Sequence, residues 1–283
     1  MIRFIQFFST LLLCFFCFPL FAWDATGHRL VAQIAFDRLT PSAKERVNAI
    51  LGLQPNDLRS DRFLEAAVWA DNIKKQHNFK YNRLHYTNIP FTFDQTPLPN
   101  FSSPNIMTAI DDLRIKLSDS NLSKVKQKLY LRLLIHFVGD IHQPLHCATR
   151  VSRSLPLGDE GGNLFLVKGM HVKNLHALWD QGIDHYSYIT DKYPLRHWQI
   201  KELAKKLEHD FPRENYIERL QNTTPKLWAQ ESFMRAKNTA YQIPAEQFPE
   251  QKYLQEASVM SKEQIALAGY RLSVILNQLY GSK

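Results

Sequence analysis

Two histidine–aspartate pairs repeat the same spacing in this sequence. His136 precedes Asp140 by four residues, and His176 precedes Asp180 by four residues. Residues four apart project from one face of an α-helix, so each pair would place an imidazole beside a carboxylate. Both groups are ligands that zinc accepts in proteins. The spacing predicts two metal-binding faces, although a His–Asp pair can also be a satisfied polar contact in a core.

A further imidazole follows the first pair. The apolar, periodic run over residues 130–134 predicts that His136 lies on the C-terminal half of a buried helix. Pro144 ends this helix because proline lacks an N–H and clashes with the preceding turn. The break allows His146 to return toward the same pocket. Together with the second pair, His146 favours a multinuclear metal site over a coincidence of spacing.

Three further candidate site residues lie earlier in the sequence, outside the His–Asp motifs. Asp71 follows an apolar helical run, where a buried carboxylate is usually paired, and His85 lies between Leu84 and Tyr86. Either could instead be a satisfied core residue. Lys74 lies three residues after Asp71 on the same helical face and could stabilise charge on a phosphoryl group. A solvated surface lysine is the alternative.

The elements that must position these residues are nearly all helical. Thr40 and Pro41 have the types expected at an N-cap and a first helical turn, and Gly52 ends the helix that they open. Strand-like alternation is confined to Leu164 and Leu166 in a Gly-flanked loop. The sequence therefore predicts one all-α, mainly helical domain with at most a short β-hairpin. The predicted helices begin near His28, Pro41, Phe63, Pro104, Lys124, Leu175, Leu195, Pro225 and Lys262.

The first 22 residues have the pattern of a secretory signal peptide. Arg3 is followed by an almost uncharged run to Phe21, and Ala22 provides a small residue for cleavage. A membrane anchor is the alternative, but the apolar run is marginal for a span. Residues 1–22 are predicted to be the signal peptide and 23–283 the mature domain. Loss of Arg3 lowers the formal charge from +8 to +7, and a basic exported protein suits a polyanion such as nucleic acid or an anionic membrane surface.

Taken in order, the motifs resemble those of the zinc-dependent single-strand nucleases of fungi and plants, the S-one/P-one nuclease family. That family shares its helical fold with zinc-dependent bacterial phospholipases C. The resemblance covers essentially all of residues 23–283, including two C-terminal helices around Trp228 and Tyr270. The motifs are Trp23-x4-His28, Trp69-Ala70-Asp71, Leu84-His85-Tyr86, His136-x3-Asp140-x5-His146, Gly161-Gly162-Asn163 and His176-x3-Asp180.

The resemblance implies three zinc ions and assigns their ligands. Asp140 would serve two of them. The Trp23 amino group would be a ligand only after cleavage exposes it. The implied sets are Asp71, His85, His136 and Asp140 for the first zinc, His146, His176 and Asp180 for the second, and Trp23, His28 and Asp140 for the third.

The resemblance also implies catalytic and substrate-binding residues. Asp71 and Lys74 would act on the scissile phosphate. Tyr86 would stack on a base where the fungal enzymes have Phe. Asn88 replaces an acidic residue that hydrogen-bonds the base, so the base preference is expected to differ. Gly162 and Asn163 would line the same pocket.

The expected function is that of a secreted or periplasmic zinc phosphodiesterase. As an endonuclease it would cleave single-stranded RNA and DNA to 5′-phosphate products, with 3′-nucleotidase activity on nucleotides. We expect a monomer without stable membrane association after signal cleavage. One alternative is a phospholipase C on this fold, but those enzymes carry Glu where this chain has Asp180 and have a longer Trp23–His28 interval. Another alternative is a non-enzymatic zinc-binding protein. It would need protein ligands at every coordination position, whereas the implied second zinc has only three protein ligands.

Overall fold

The computed structural model describes residues 23–53, 59–100, 104–170, 172–181 and 195–281. The predicted signal peptide, residues 1–22, lies outside the described residues. Within them the chain is mainly helical, which confirms the predicted fold class. None of the described helices combines the length and the apolar character that crossing a membrane requires.

Ten α-helices account for most of the described structure. They are α1 (Ala25–Asp37), α2 (Pro41–Leu51), α3 (Asp61–Lys75), α4 (Ile106–Leu117), α5 (Lys124–Asp140), α6 (Leu175–Asp180), α7 (His197–Asp210), α8 (Ile217–Gln221), α9 (Pro225–Arg235) and α10 (Gln251–Tyr280). Short 3₁₀ turns occur at Asn82–His85, Pro144–His146 and Arg213–Tyr216, and a π turn at Ala236–Ala240 follows α9.

Helix termini follow local chemistry, and several of them differ from the sequence prediction. α2 has Thr40 as its N-cap, Pro41 in its first turn and Gly52 in the left-handed conformation at its C-cap, as predicted. α4 starts after Asn105 rather than at Pro104, because Asn105 forms a capping box with Thr108. α10 starts at Gln251, eleven residues before the predicted Lys262.

The core forms around α1 and α5. α1 packs against α3 and α10. Its approach to α10 is close, because a Cβ on Gly269 would lie 2.7 Å from Ile34. The C-terminal half of α5 is buried throughout, from Leu133 to Asp140. An apolar environment therefore surrounds the helix that carries the first His–Asp pair.

The β structure differs from the predicted hairpin. β1 (Ile89–Thr92) pairs in parallel with β2 (Ala148–Val151), and Ile89 lies opposite Ala148. The predicted strand segment contributes only an isolated bridge between Leu166 and Asn174. Because β1 follows His85 and β2 follows His146, this pairing brings two predicted metal ligands together from distant parts of the sequence.

Candidate metal centre

Asp140 lies at the centre of a buried group of imidazoles. Its Oδ1 is 3.2 Å from His28 Nε2. Its Oδ2 is 2.8 Å from His85 Nδ1 and 3.3 Å from His136 Nε2. The two carboxylate oxygens therefore face different histidines, which is the arrangement needed for one carboxylate to serve two neighbouring cations.

Asp71 and Lys74 complete this side of the centre from α3. Asp71 Oδ1 is 3.6 Å from His136 Nε2 and receives a 2.9 Å hydrogen bond from Lys74 Nζ. Lys74 is 3% exposed, and its Nζ also lies 3.2 Å from His85 Nδ1. The surface-lysine alternative is thus excluded, because the ammonium group lies inside the cluster.

A second group is formed by His146, His176 and Asp180. His176 Nε2 is 3.4 Å from Asp180 Oδ2, and the rings of His146 and His176 lie 5.0 Å apart between centroids. Gln143 donates a 2.6 Å hydrogen bond to the other oxygen of Asp180. The 3₁₀ turn that Pro144 opens places His146 against the α6 pair, so the predicted return of the chain occurs.

Backbone carbonyls orient three of the imidazoles. His136 Nδ1 lies 2.6 Å from the Ala67 carbonyl oxygen, His146 Nδ1 2.7 Å from that of His85, and His176 Nδ1 2.7 Å from that of Gly161. A carbonyl oxygen only accepts, so each Nδ1 must carry the proton. Each Nε2 then keeps its lone pair for a metal, as in known metal sites where the other ring N–H is hydrogen-bonded to a carbonyl or carboxylate.

Two glycines provide the clearance that brings the N-terminal segment to the centre. A Cβ on Gly139 would lie 2.8 Å from His28 Nδ1, and one on Gly27 would lie 2.8 Å from Trp23 Cβ. Trp23 is fully buried, and its indole donates to the Gly139 carbonyl at 3.1 Å. The Asp24 N–H donates to the Asp180 carbonyl at 2.8 Å. Trp23 is therefore held between the two metal-binding groups.

Burial keeps several of these imidazoles neutral. Burial lowers the pKa of His85 to about 3 and that of His146 to about 4, and it also lowers the pKa of His28. A neutral imidazole is the form that binds a metal. For His136, burial alone would lower the pKa, but the charge of Asp140 and other nearby carboxylate contacts raise it above the ordinary value.

The carboxylates respond to their surroundings in two ways. Burial alone would raise the pKa values of Asp71 and Asp140, but contacts with His136 and with the other nitrogen-bearing side chains around them outweigh this effect, and both pKa values are lowered. Burial raises the pKa of Asp180 well above its usual range, against the hydrogen bond from Gln143. A nearby cation would favour the ionised form of Asp180.

The donor set fits divalent metal ions. Both oxygens of Asp140 and both ring nitrogens of His28 are buried, and none of them makes a hydrogen bond of regular geometry among the described residues. Such groups cost free energy unless a partner satisfies them. In each of three groups, one ligand atom per residue lies within 4.8 Å of the others: His28, His136 and Asp140; Asp71, His85 and His136; His146, His176 and Asp180.

The centre opens to solvent through a cleft. Asp71 and Asp180 both line a cavity of about 180 Å³ between α3 and α6. Tyr86 and Asn88 line a separate cavity of about 300 Å³ together with Arg83 and Asn105. Asn88 has φ +40°, a left-handed conformation that asparagine tolerates better than most residues.

Gly162 and Asn163 lie in a different loop, beside His176. The Gly162 N–H donates to Asp159 at 3.1 Å, and the Asn163 side chain donates to the Glu160 carbonyl at 2.8 Å. Sequence reasoning missed Asp159 and also Gln143, which contacts Asp180. Gln143 could have been identified from the sequence, because it lies inside the His136–His146 motif. No comparable signal marks Asp159.

Comparison with known proteins agrees with the geometry. The family model described as S1/P1 Nuclease matches residues 23–281. The chain is 27% identical to Endonuclease 5 of Arabidopsis thaliana over 281 residues, covering 92% of this chain and 91% of that protein. It is 28% identical to Endonuclease 4 of the same plant over 281 residues (92% and 90%), and 27% identical to Nuclease P1 of Penicillium citrinum over 292 residues (92% and 99%).

These relatives are nucleases by name, so the phospholipase C alternative is not favoured. The matched region includes every residue of the three metal-binding groups. The chain belongs to the S1/P1 nuclease family.

Proposed function

We propose that this protein is an exported, zinc-dependent endonuclease that cleaves single-stranded RNA and DNA to 5′-phosphate products and has 3′-nucleotidase activity. The observation that carries the proposal is the position of Asp140, whose two oxygens face different imidazoles in one buried centre. The group of His146, His176 and Asp180 lies close enough to share a cleft with Asp71. Three metal ions held this way suit a phosphodiester substrate.

The ligand sets proposed for the three zinc ions follow these groups. Bound zinc supplies Lewis-acid activation of water and neutralises charge on the phosphate. The first would be held by Asp71, His85, His136 and Asp140, the second by His146, His176 and Asp180, and the third by His28, Asp140 and the amino and carbonyl groups of Trp23.

Asp71 and Lys74 have separate roles in this proposal. Burial alone would raise the pKa of Asp71, but its neighbours, including the Lys74 ammonium, lower it, so its carboxylate stays ionised to accept a hydrogen bond from the attacking water. Lys74 is positioned to donate from Nζ to a phosphoryl oxygen as negative charge develops there. Breaking the bond between phosphorus and the 3′ oxygen leaves the phosphate on the 5′ side of the following nucleotide.

Preference for single strands would come from the cavity beside Tyr86. A base stacked on this ring must leave its own stack, which a single strand permits at lower cost than a duplex does. Asn88 presents both a donor and an acceptor to the base edge. Gly162 and Asn163 are the other proposed substrate contacts, from the loop beside His176.

Export is part of the proposal, because residue 23 would become the N-terminus. Residues 1–22 are proposed to be a signal peptide, which places the mature domain, 23–283, in the periplasm or outside the cell. The family match beginning at residue 23 supports this boundary. The mature protein is proposed to be a monomer without stable membrane association.

The test uses the protein that begins at Trp23, with bound zinc. A single-stranded oligonucleotide, a duplex of the same sequence, a 3′-nucleotide and a phosphocholine ester are offered separately. We expect faster cleavage of the single strand than of the duplex, 5′-phosphate ends and release of phosphate from the 3′-nucleotide. A chelator should abolish each activity, and added zinc should restore it. Hydrolysis of the phosphocholine ester alone would contradict the proposal.

A further inference from the structure

The loop before α6 has an unusual backbone. Glu160, Gly161 and Gly162 adopt three consecutive left-handed conformations, with φ values of 55°, 66° and 85°. A Cβ on Gly161 would lie 2.5 Å from the Leu145 carbonyl oxygen, so only glycine fits there. For Glu160 such a conformation is strained, and strain of this kind persists only where the surroundings hold the backbone in place.

Asp159 supplies much of that constraint. Its side chain is fully buried, and one oxygen, Oδ1, accepts four hydrogen bonds. Two come from the backbone N–H groups of Arg150 and Gly162 at 2.9 and 3.1 Å. The others come from the hydroxyls of Thr149 at 3.2 Å and Tyr241 at 2.9 Å. One carboxylate oxygen thus connects this loop to β2 and to the segment after α9.

The same loop holds His176 at two points. The Gly161 carbonyl accepts from His176 Nδ1 at 2.7 Å, and the Gly162 carbonyl accepts from the His176 N–H at 3.3 Å. The first contact fixes which ring nitrogen carries the proton and where Nε2 points. A shift of this loop would therefore move a ligand atom of the His146, His176 and Asp180 group.

We propose that Asp159 is a positioning residue for His176, and through it for the second zinc ion. The inference rests on the three-zinc function proposed above. Asp159 does not touch the metal-binding group. It acts by holding Gly162, which keeps the Gly161 carbonyl against the imidazole. Loss of such an outer contact typically weakens metal binding by about 10–100-fold.

The test measures zinc retention in the zinc-loaded protein beginning at Trp23. Wild type, Asp159→Asn, Asp159→Ala and Asp94→Asn are titrated with a zinc chelator, and zinc per chain and thermal stability are recorded. Asp94 is a matched control, because its carboxylate also accepts backbone and hydroxyl hydrogen bonds, from Arg153 and Thr96, but none from the His176 loop. His176→Ala is the reference for loss of the second site.

We expect Asp159→Asn to release one of its three zinc ions at a roughly tenfold lower chelator concentration than wild type. Asp159→Ala should release it at a roughly hundredfold lower concentration, near the upper end of the usual loss of metal affinity. The amide keeps the shape and an acceptor oxygen, so Asp159→Asn is the decisive variant if Asp159→Ala does not fold. Asp94→Asn should match wild type.

Two outcomes would overturn the positioning role. One is equal retention of all three zinc ions by Asp159→Asn and wild type. The other is joint release of all three ions as stability falls, which would show that Asp159 only supports the fold. Failure of the underlying function would appear separately, as wild-type protein that holds fewer than three zinc ions or does not cleave nucleic acid.

Discussion

At the scale of residues, His28 reaches Asp140 only because position 139 has no side chain. A Cβ on Gly139 would lie 2.8 Å from His28 Nδ1 and 3.0 Å from its Cε1, and neither distance is tolerated without a shift. In a helix interior, alanine is otherwise preferred over glycine by about 0.5–1 kcal/mol. Gly139 therefore lowers the intrinsic helical stability of α5, but it permits the contact between His28 and Asp140.

We predict that Gly139→Ala keeps α5 intact but weakens zinc binding at His28 and Asp140 by at least about tenfold, the lower end for disturbed ligand support. Zinc per chain under chelator competition and the urea unfolding curve measure the two effects. Val138→Ala is the matched control, because it removes buried methyl groups from the adjacent position and should lower stability without loss of zinc. Unchanged zinc affinity in Gly139→Ala would contradict the prediction.

Lys74 is the residue whose charge can be separated from metal binding. Lys74→Met keeps the length of the side chain and removes the ammonium, so kcat should fall by about 10²–10³-fold, as when one transition-state donor is lost. Zinc content should not fall, because a positive charge beside the ligands is removed. Lys74→Arg should recover part of the rate, and Lys126→Met, on the exposed start of α5, should match wild type. Loss of rate in proportion to loss of zinc would refute this role.

The sequence predicts some of these residue-level features and not others. The i,i+4 spacing identifies the His136–Asp140 and His176–Asp180 pairs, since helical geometry fixes which side chains share a face. The burial of the Lys74 side chain could not be derived from the sequence, because a lysine three residues after Asp71 can be either buried or exposed. Asp159 was missed because Arg150 and Tyr241 meet it only in the folded structure, and its local contact with Gly162 leaves no pattern in the sequence.

At the scale of elements, the long helices were predictable and the small sheet was not. Strands β1 and β2 have four residues each and pair in parallel across a long separation in sequence, so neither carries a local hairpin signal. Their pairing nevertheless determines the site, because the Thr87 N–H donates to the His146 carbonyl at 2.8 Å and His146 Nδ1 donates to the His85 carbonyl. The start of α10 was missed although Tyr253, Ala257 and Met260 already have the spacing of one helical face.

A buried polar network joins α10 to the end of α5. Arg271 is 1% exposed, and its guanidinium lies 3.0 Å from His142 Nε2 and 2.8 Å from Glu231 Oε1. Burial alone would raise the pKa of Glu231, but its contacts with Arg271 and Arg219 lower it below the ordinary value of a glutamate. A carboxylate with a lowered folded-state pKa stabilises the fold above its unfolded-state pKa, and this stabilisation is lost as pH falls through the folded-state pKa.

We predict that the stability difference between wild type and Glu231→Gln is constant from pH 7 to about 5 and narrows as pH falls below about 4.5, because protonation makes Glu231 resemble the amide. Thermal unfolding at fixed zinc concentration across this range gives the difference. Glu218→Gln, on the exposed side of α8, should show no such narrowing. A difference that stays constant down to pH 3 would rule out the lowered pKa.

At the scale of the whole molecule, we propose that export and metal binding are coupled through Trp23. The side chain is fixed by its bond to the Gly139 carbonyl, which brings the start of the mature domain to the centre. An α-amino group has a pKa of about 7.7–8.0 and can bind zinc once deprotonated, whereas a peptide nitrogen has no available lone pair. The signal peptide would thus keep the nuclease nearly inactive until it is removed.

One extra residue tests this coupling. Protein beginning Gly-Trp23 should retain two zinc ions firmly, lose the third and cleave single-stranded RNA far more slowly than protein beginning at Trp23. Zinc per chain and initial rate are measured on both forms. Equal zinc and equal rate would exclude the N-terminal ligand.

The central claim is that three zinc ions, bound around Asp140 and at the His146, His176 and Asp180 group, make this chain a single-strand nuclease. The most direct measurement adds zinc stepwise to chelator-treated protein beginning at Trp23, while bound zinc and the rate on a single-stranded oligonucleotide are recorded together. We predict saturation at three ions per chain, with full activity reached only at the third. Full activity in the zinc-free protein, or saturation at one ion with full activity, would contradict it.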